Sequence, residues 1–335
     1  MTPLYGFLLA FLTFTLFFII YYFLSSKKGL VIRSLLVFLF TTSMLTSIAI
    51  FYYVSENDLV IDFSLFTNQL VYSEELDEEN KDREAFLVVD ESNVIINDFS
   101  LYRDAVDFLT EEEVAASIHY LEKGNIIWNS NMRRAKKVLL DAPFINQLPE
   151  LPRGCEVTSL AMLLQYYNVN TDKMALAEEI KKDKTPYEVK NGEIYFGDPY
   201  KGFVGDMYDL NNPGYGVYHK PIEQLAKEYL GEKVVNITGG TFDHVLAQVS
   251  KGRPVWIIIN TWYQELPESE FETWITPNGE LDITYRLHSV VVTGFDEKSI
   301  YFNDPLGENK NRKIDKKSFI DAWNQMGQQA IFILD

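Results

Sequence analysis

A single cysteine, Cys155, occurs among the 335 residues. No intrachain disulfide can form, and no zinc or iron–sulfur centre can be built from several thiolates. Basic charge is also scarce: 30 Lys and Arg stand against 48 Asp and Glu, a formal net charge of -18. Phosphate backbones are held by clustered Lys and Arg, so nucleic acid is excluded as a broad-surface partner. No G-x-x-x-x-G-K-S/T stretch is present, which removes the usual nucleotide-binding loop of a transport ATPase. Only four histidines exist, and no Cys/His set suits a metal, so neither a metal nor a cofactor is expected. Asp198, Asp206 and Asp209 share a Gly-rich stretch without the spacing of a calcium loop. The chain is 47% hydrophobic and 14% aromatic, which excludes a mostly disordered protein.

Acidic residues are absent from positions 1–55, where only Lys27, Lys28 and Arg33 are charged. Leu4–Leu24 and Ser34–Val54 are each 21 residues without a charge. About 20 helical residues cross a bilayer core, so these spans predict a transmembrane hairpin that partners with lipid through residues 4–24 and 34–54. Tyr21, Tyr22, Tyr52 and Tyr53 sit where amphipathic rings favour the interface. The three basic residues of the link place it in the cytoplasm and both termini outside. The expectation is a multi-pass cell-membrane protein with an extracellular domain. Residues 56–84 read as an acidic linker, 85–130 as a small α+β module, and 131–335 as the main domain.

In the module, Ala85–Asp90, Val94–Asp98, Ala116–Tyr120 and Asn125–Trp128 read as strands and Ser100–Glu112 as a helix. The main domain begins with helices expected at Cys155–Tyr167, Asp172–Lys182, Lys220–Tyr229 and Phe242–Ser250. A Gly-, Pro- and Tyr-rich loop is expected over Asp183–Val217, and a second over Trp262–Pro277. Strands follow at Val255–Ile259, Ser289–Thr293, Ser299–Phe302 and Ala330–Leu334, with a helix at Lys317–Gln325. Helices first and strands later, without a βαβ period, predict an α+β domain with a largely antiparallel sheet. The loops carry many rings, among them Tyr208, Trp262 and Trp274, which either line a cleft or pack the loops.

Cys155 follows Gly154 and a Pro-rich turn, at the start of a helix. Unpaired N–H groups there favour a thiolate and can hold an oxyanion. A cysteine nucleophile needs a base. His119 reads as structural, His219 as a groove or surface residue, and His244 as a helix-face residue. His288 opens an apolar strand 133 residues after Cys155, a separation suited to a base in papain-like enzymes. Asp304, locked by Pro305, can orient the imidazole; Asn303 is the adjacent alternative. Gln147, eight residues before the cysteine, has an amide suited to an oxyanion.

Residues 143–335 resemble the C39-like branch of papain-like cysteine peptidases. The resemblance is carried by LPELPRGCEVTSLAMLLQYY, GDPYKGFVGDMYD, GYGVYHKPIEQLAKEY, GRPVWIIIN, HSVVVTGFD, IYFNDPLG and FIDAWNQMGQQAI. It implies a papain-like fold with Cys155 as nucleophile, His288 as base, Asp304 as orienting acid and Gln147 as oxyanion amide. Gln147 lies further upstream than in the better-known papain-like pattern. The implied activity is thiol-dependent hydrolysis of peptide or protein amide bonds; the tether expected from the two apolar spans would also bring peptidoglycan within reach as a substrate. Two other functions fit the same residues: a catalytically silent anchored protein that binds a membrane or surface partner, and a cell-wall amidase.

Overall fold

Apolar runs that do not alternate with polar residues mark strands covered on both faces. Two such runs lie at the centre of the computed structural model, which describes residues 84–335 except Val114, Arg133 and Arg134. The two apolar spans and residues 56–83 of the acidic linker lie outside the described residues. Among the described residues, no helix is long and apolar enough to cross a membrane.

The two central strands are β11 (Val255–Asn260) and β14 (Leu287–Phe295), and every residue of both is buried. They pair antiparallel, with Ile259 opposite His288. Around them run β5 (Val138–Leu139), β10 (Val234–Asn236), β15 (Ser299–Asn303), β16 (Arg312–Asp315) and β17 (Ala330–Ile333). The sheet order is β10-β17-β11-β14-β15-β16, with β5 on β14, and each neighbouring pair is antiparallel. Side chains leave a strand alternately to its two faces. Trp256 and Ile258 accordingly join the core under α2 (Cys155–Tyr166), with Val157 and Leu160. Val255, Ile257 and Ile259 join the opposite core, under α5 (Phe242–Ser250) and α6 (Lys316–Gln325). Burying a valine or isoleucine side chain contributes roughly 1.5–3 kcal/mol, so the rows on β11 and β14 make this sheet a firm platform.

The 85–130 segment forms its own antiparallel sheet from β1 (Phe86–Asp90), β2 (Ile95–Phe99), β3 (Ala116–Tyr120) and β4 (Ile126–Asn129), in the order β2-β1-β3-β4. Helix α1 (Tyr102–Glu111) belongs to it. Its core is not separate. Val88, Tyr102, Ile118 and Ile127 share one apolar cluster with Phe242, Val245 and Val249 of α5. Gln248 Nε2 donates to the Ile127 carbonyl at 2.6 Å, and His244 packs its ring against Trp128.

Helix α3 (Lys173–Glu179) is capped by Asp172, whose carboxylate accepts from the N–H groups of Met174 and Ala175. It stops short of the expected Lys182 because Lys182 and Asp183 form β6, paired in parallel with β9 (Phe203–Val204). The two expected loops also contain strands. β7 (Glu188–Lys190) and β8 (Glu193–Tyr195) join β12 (Glu272–Thr276) and β13 (Gly279–Ile283) in a sheet of order β13-β12-β8-β7. Phe196, Tyr215 and Trp274 pack inside it, whereas Tyr187, Tyr208 and Trp262 stay exposed. Most of the rings in these two segments are therefore packing. Helix α4 (His219–Leu230) completes the described helices.

Candidate active site

The turn 147–154 determines where α2 begins. Gln147 N–H donates to the Pro305 carbonyl at 2.8 Å, and Leu151 N–H returns to the Gln147 carbonyl at 3.0 Å. The Gln147 side-chain amide donates to the carbonyls of Leu151 and Pro152, each at 3.0 Å. Gln147 is 1% exposed. Both of its amide hydrogens therefore brace the turn and neither points to an open oxyanion position.

Cys155 is the first residue of α2 and is 7% exposed. Trp256 Nε1 donates to the carbonyl of Glu156 at 3.0 Å, and Ser159 Oγ donates to that of Ser289 at 3.0 Å. These bonds clamp the first turns of α2 against β11 and β14. The Cys155 thiol donates to Glu156 Oε2 at 3.3 Å. Burial pushes the thiol well above its usual range, and the neighbouring Glu156 carboxyl adds to the rise. The Ser289 backbone acts in the opposite direction, favouring the thiolate. Ser289 is the residue after His288, so the sulfur and the imidazole share one neighbourhood.

His288 is 1% exposed, and its Nε2 lies 2.8 Å from Asp304 Oδ1. Asp304 directly follows β15 and is fully buried. Its Oδ1 also accepts from Leu306 N–H at 2.9 Å, and its Oδ2 accepts from Tyr263 Oη and Arg312 Nη1, each at 2.7 Å. Burial raises the carboxyl pKa, but the bond and charge of His288, with Tyr263 and Leu306, outweigh it and hold Asp304 well below the usual carboxylate range. An ionised carboxylate has no proton to give. His288 Nε2 must therefore carry the hydrogen, which makes Nδ1 the basic nitrogen of the neutral ring.

Asn303 does not face this carboxylate. Its amide donates to the carbonyls of Ala142 and Pro143, and its Oδ1 accepts from Asn311 N–H. Adjacent residues at a strand end point to opposite sides, and Asp304 takes the side of His288.

By sequence Tyr263 is one of the loop rings that line a cleft or pack, with nothing to tie it to Asp304, and Arg312 is not singled out. Tyr263 adopts φ 54°, unusual for a bulky residue. Asn260 makes that turn: Oδ1 accepts from Trp262 N–H, Nδ2 donates to the Gln264 carbonyl, and its own carbonyl accepts from Tyr263 N–H. The Arg312 guanidinium lies 4.5 Å from the Tyr263 ring centroid. An Asn followed by an aromatic turn after a buried strand was the available signal.

The remaining histidines hold structure. His119 bonds Ser117 Oγ at 2.7 Å. His244 takes part in the capping box at the start of α5. His219 is buried, not on the surface; burial pushes it down to about 4, with its ring beside Asn236. Asp206 accepts from loop N–H groups at Tyr208 and Asp209. Asp198 accepts from Tyr200 N–H and from Asn278 Nδ2. Among the described residues, no three His, Cys, Asp or Glu side chains form a metal-holding group.

Comparison with known proteins adds three findings. Residues 139–331 match the model of the Peptidase_C39 like family. The uncharacterized protein YvpB of Bacillus subtilis (strain 168) is 49% identical over 196 residues, which is 58% of this chain and 75% of that protein. A crystal structure of a candidate C39-like peptidase from Bacillus anthracis is 48% identical with a TM-score of 0.56, covering 60% of this chain and 98% of that one.

Proposed function

Because the chain belongs to the Peptidase_C39 like family, we propose that it is a cysteine peptidase whose nucleophile is Cys155. The observation that carries this reading is the buried His288–Asp304 bond of 2.8 Å, whose carboxylate acts electrostatically on the Cys155 thiol at the head of α2.

His288 Nδ1 takes the thiol proton, and the thiolate attacks the substrate carbonyl. Asp304 holds the ring in the tautomer that leaves Nδ1 basic and stabilises the imidazolium that forms. First-turn N–H groups of α2 face the developing oxyanion, and Gln147 joins them by giving up one of its two turn bonds. The imidazolium then protonates the leaving amine. Water, activated by the same ring, hydrolyses the thioester.

We extend the proposal to place. Residues 4–24 and 34–54 anchor the chain in the cell membrane, with the peptidase domain outside. Protease added to intact cells removes the domain under this topology and spares it under the inverse one. The substrate is then an extracellular peptide or protein, with wall cross-links as the competing amide.

The test is digestion of a peptide library and of purified wall material by the full chain in detergent, beside Cys155→Ala. Peptide cleavage lost in the variant supports the peptidase. Release of wall amides alone moves the substrate to peptidoglycan. No difference between the two chains on either material leaves the silent binding protein.

A further inference from the structure

Glu156 has no part in the reaction above, yet it touches the nucleophile. Its Oε2 accepts the Cys155 thiol hydrogen at 3.3 Å, and its Oε1 accepts Val217 N–H at 2.9 Å. The residue is 1% exposed. Carboxylates in a first helical turn gain from the dipole while facing water; a buried one also bears a desolvation cost. The main chain opposite is shaped around it. A Cβ on Gly216 would lie 2.2 Å from Oε1 and 2.6 Å from Leu287 Cδ2. A neutral amide would satisfy Val217 N–H at lower desolvation cost, so bonding Val217 does not by itself account for a carboxyl.

Resting on the reading of Cys155 as nucleophile, we propose that Glu156 is a positioning residue that restrains the sulfur. Ionised, it keeps the thiol hydrogen on its own oxygen and sets a negative charge where the thiolate must form. Protonated, it becomes a donor, and the thiol hydrogen passes to His288 Nδ1. That transfer leaves thiolate and imidazolium, with the Glu156 hydroxyl hydrogen-bonding the sulfur. The carboxyl takes its proton from water, and the thiol-to-imidazole transfer then stays within Glu156, Cys155 and His288.

The titratable groups around this pair are named by their electrostatic effect. Tyr215 and Tyr218, before α4, feel the Glu156 charge. Asp304 acts on the sulfur, and the sulfur acts on Tyr263. His288 lies one residue before Ser289, whose backbone acts on the sulfur. Burial pushes Glu156 up to about 7, so both of its forms are populated near neutrality.

The experiment is alkylation of the full chain by iodoacetamide as a function of pH. Cys155 is the only thiol, so the rate reports one site. Glu156→Gln keeps the shape and an acceptor for Val217 while removing the charge. Its apparent thiol pKa should fall, and its alkylation should exceed that of the wild type about twofold at pH 7, where about half of the carboxyl is already protonated, and about tenfold at pH 8. An unchanged or raised thiol pKa overturns the inference. The wild-type chain supplies a second readout that does not depend on the variant folding. A protonated-carboxyl infrared band should titrate near pH 7 and move when Cys155 is alkylated. Absence of such a band overturns it equally. Alkylation needs no hydrolysis, so the two readings fail separately. A shifted profile with no substrate cut sinks the peptidase, and an unshifted profile with normal hydrolysis sinks the restraint.

Discussion

Asp304 shows how much one side chain here depends on its neighbours. Four donors converge on a carboxylate with no exposed surface: His288, Leu306, Tyr263 and Arg312. Tyr263→Phe removes one of them and should cost about 1.5–3 kcal/mol, the range for bonds to charged groups, read as a lower urea midpoint. Hydrolysis by this variant should slow through kcat, with KM little changed, because Tyr263 acts through Asp304. Asp304→Asn should cost far more rate, since an amide can turn its N–H₂ toward the ring and favour the wrong tautomer. Gln147→Ala removes both the turn brace and the proposed oxyanion donor, and kcat should drop on the order of a hundredfold. The candidate set Cys155, His288 and Asp304 can be picked from the sequence because chain neighbours mark each: a Pro-rich turn before a helix, an apolar strand, a following proline. Glu156, Tyr263 and Arg312 cannot. Their roles depend on where side chains converge in space, which no local pattern encodes.

Between elements, close approach matters more than propensity. Gly216 lets the strand-like segment before α4 lie against Glu156 on α2. Gly216→Ala should force the carboxyl aside and destabilise by about 1–3 kcal/mol through overpacking. A urea midpoint shift with unchanged slope is the expected signature. A midpoint equal to wild type would mean that the contact relaxes freely. The long elements were legible because their apolar residues keep a period. Phe242–Ser250 matches its expected bounds, β11 extends its own by one residue and β14 by two at each end. The strands β7 and β8 were not, being three residues each with exposed Glu188, Lys190 and Glu193, and neither were β12 and β13, five residues each. β8 and β12 pair in parallel across some eighty positions, a partnership set by tertiary packing.

For the molecule as a whole, two buried titrating groups set opposite pH dependences. Glu156 has a folded pKa raised to about 7 from the ordinary 4.5. The unfolded chain loses that proton first, so stability falls as pH rises from about 4.5 to about 7. His219 has a folded pKa lowered to about 4 from 6.5. The unfolded chain gains that proton first, so stability falls as pH drops from 6.5 to about 4. Glu156→Gln should therefore gain stability relative to wild type at pH 7 and lose that advantage at pH 5, measured by urea unfolding at both. The shared core gives another prediction at this scale. Deleting residues 84–130 uncovers Phe242, Val245 and Val249, and the remainder should lose its single cooperative transition. A sharp transition retained in the shortened chain would make the module an independent addition.

Covalent capture of the sulfur tests the central claim most directly. A peptide carrying a thiol-directed electrophile is incubated with the full chain, and the adduct is located by mass spectrometry in wild type and His288→Ala. The account predicts one adduct, on Cys155, formed at least about a hundredfold more slowly without the imidazole. A sulfur that never reacts, or one that reacts equally fast with and without His288, would contradict it.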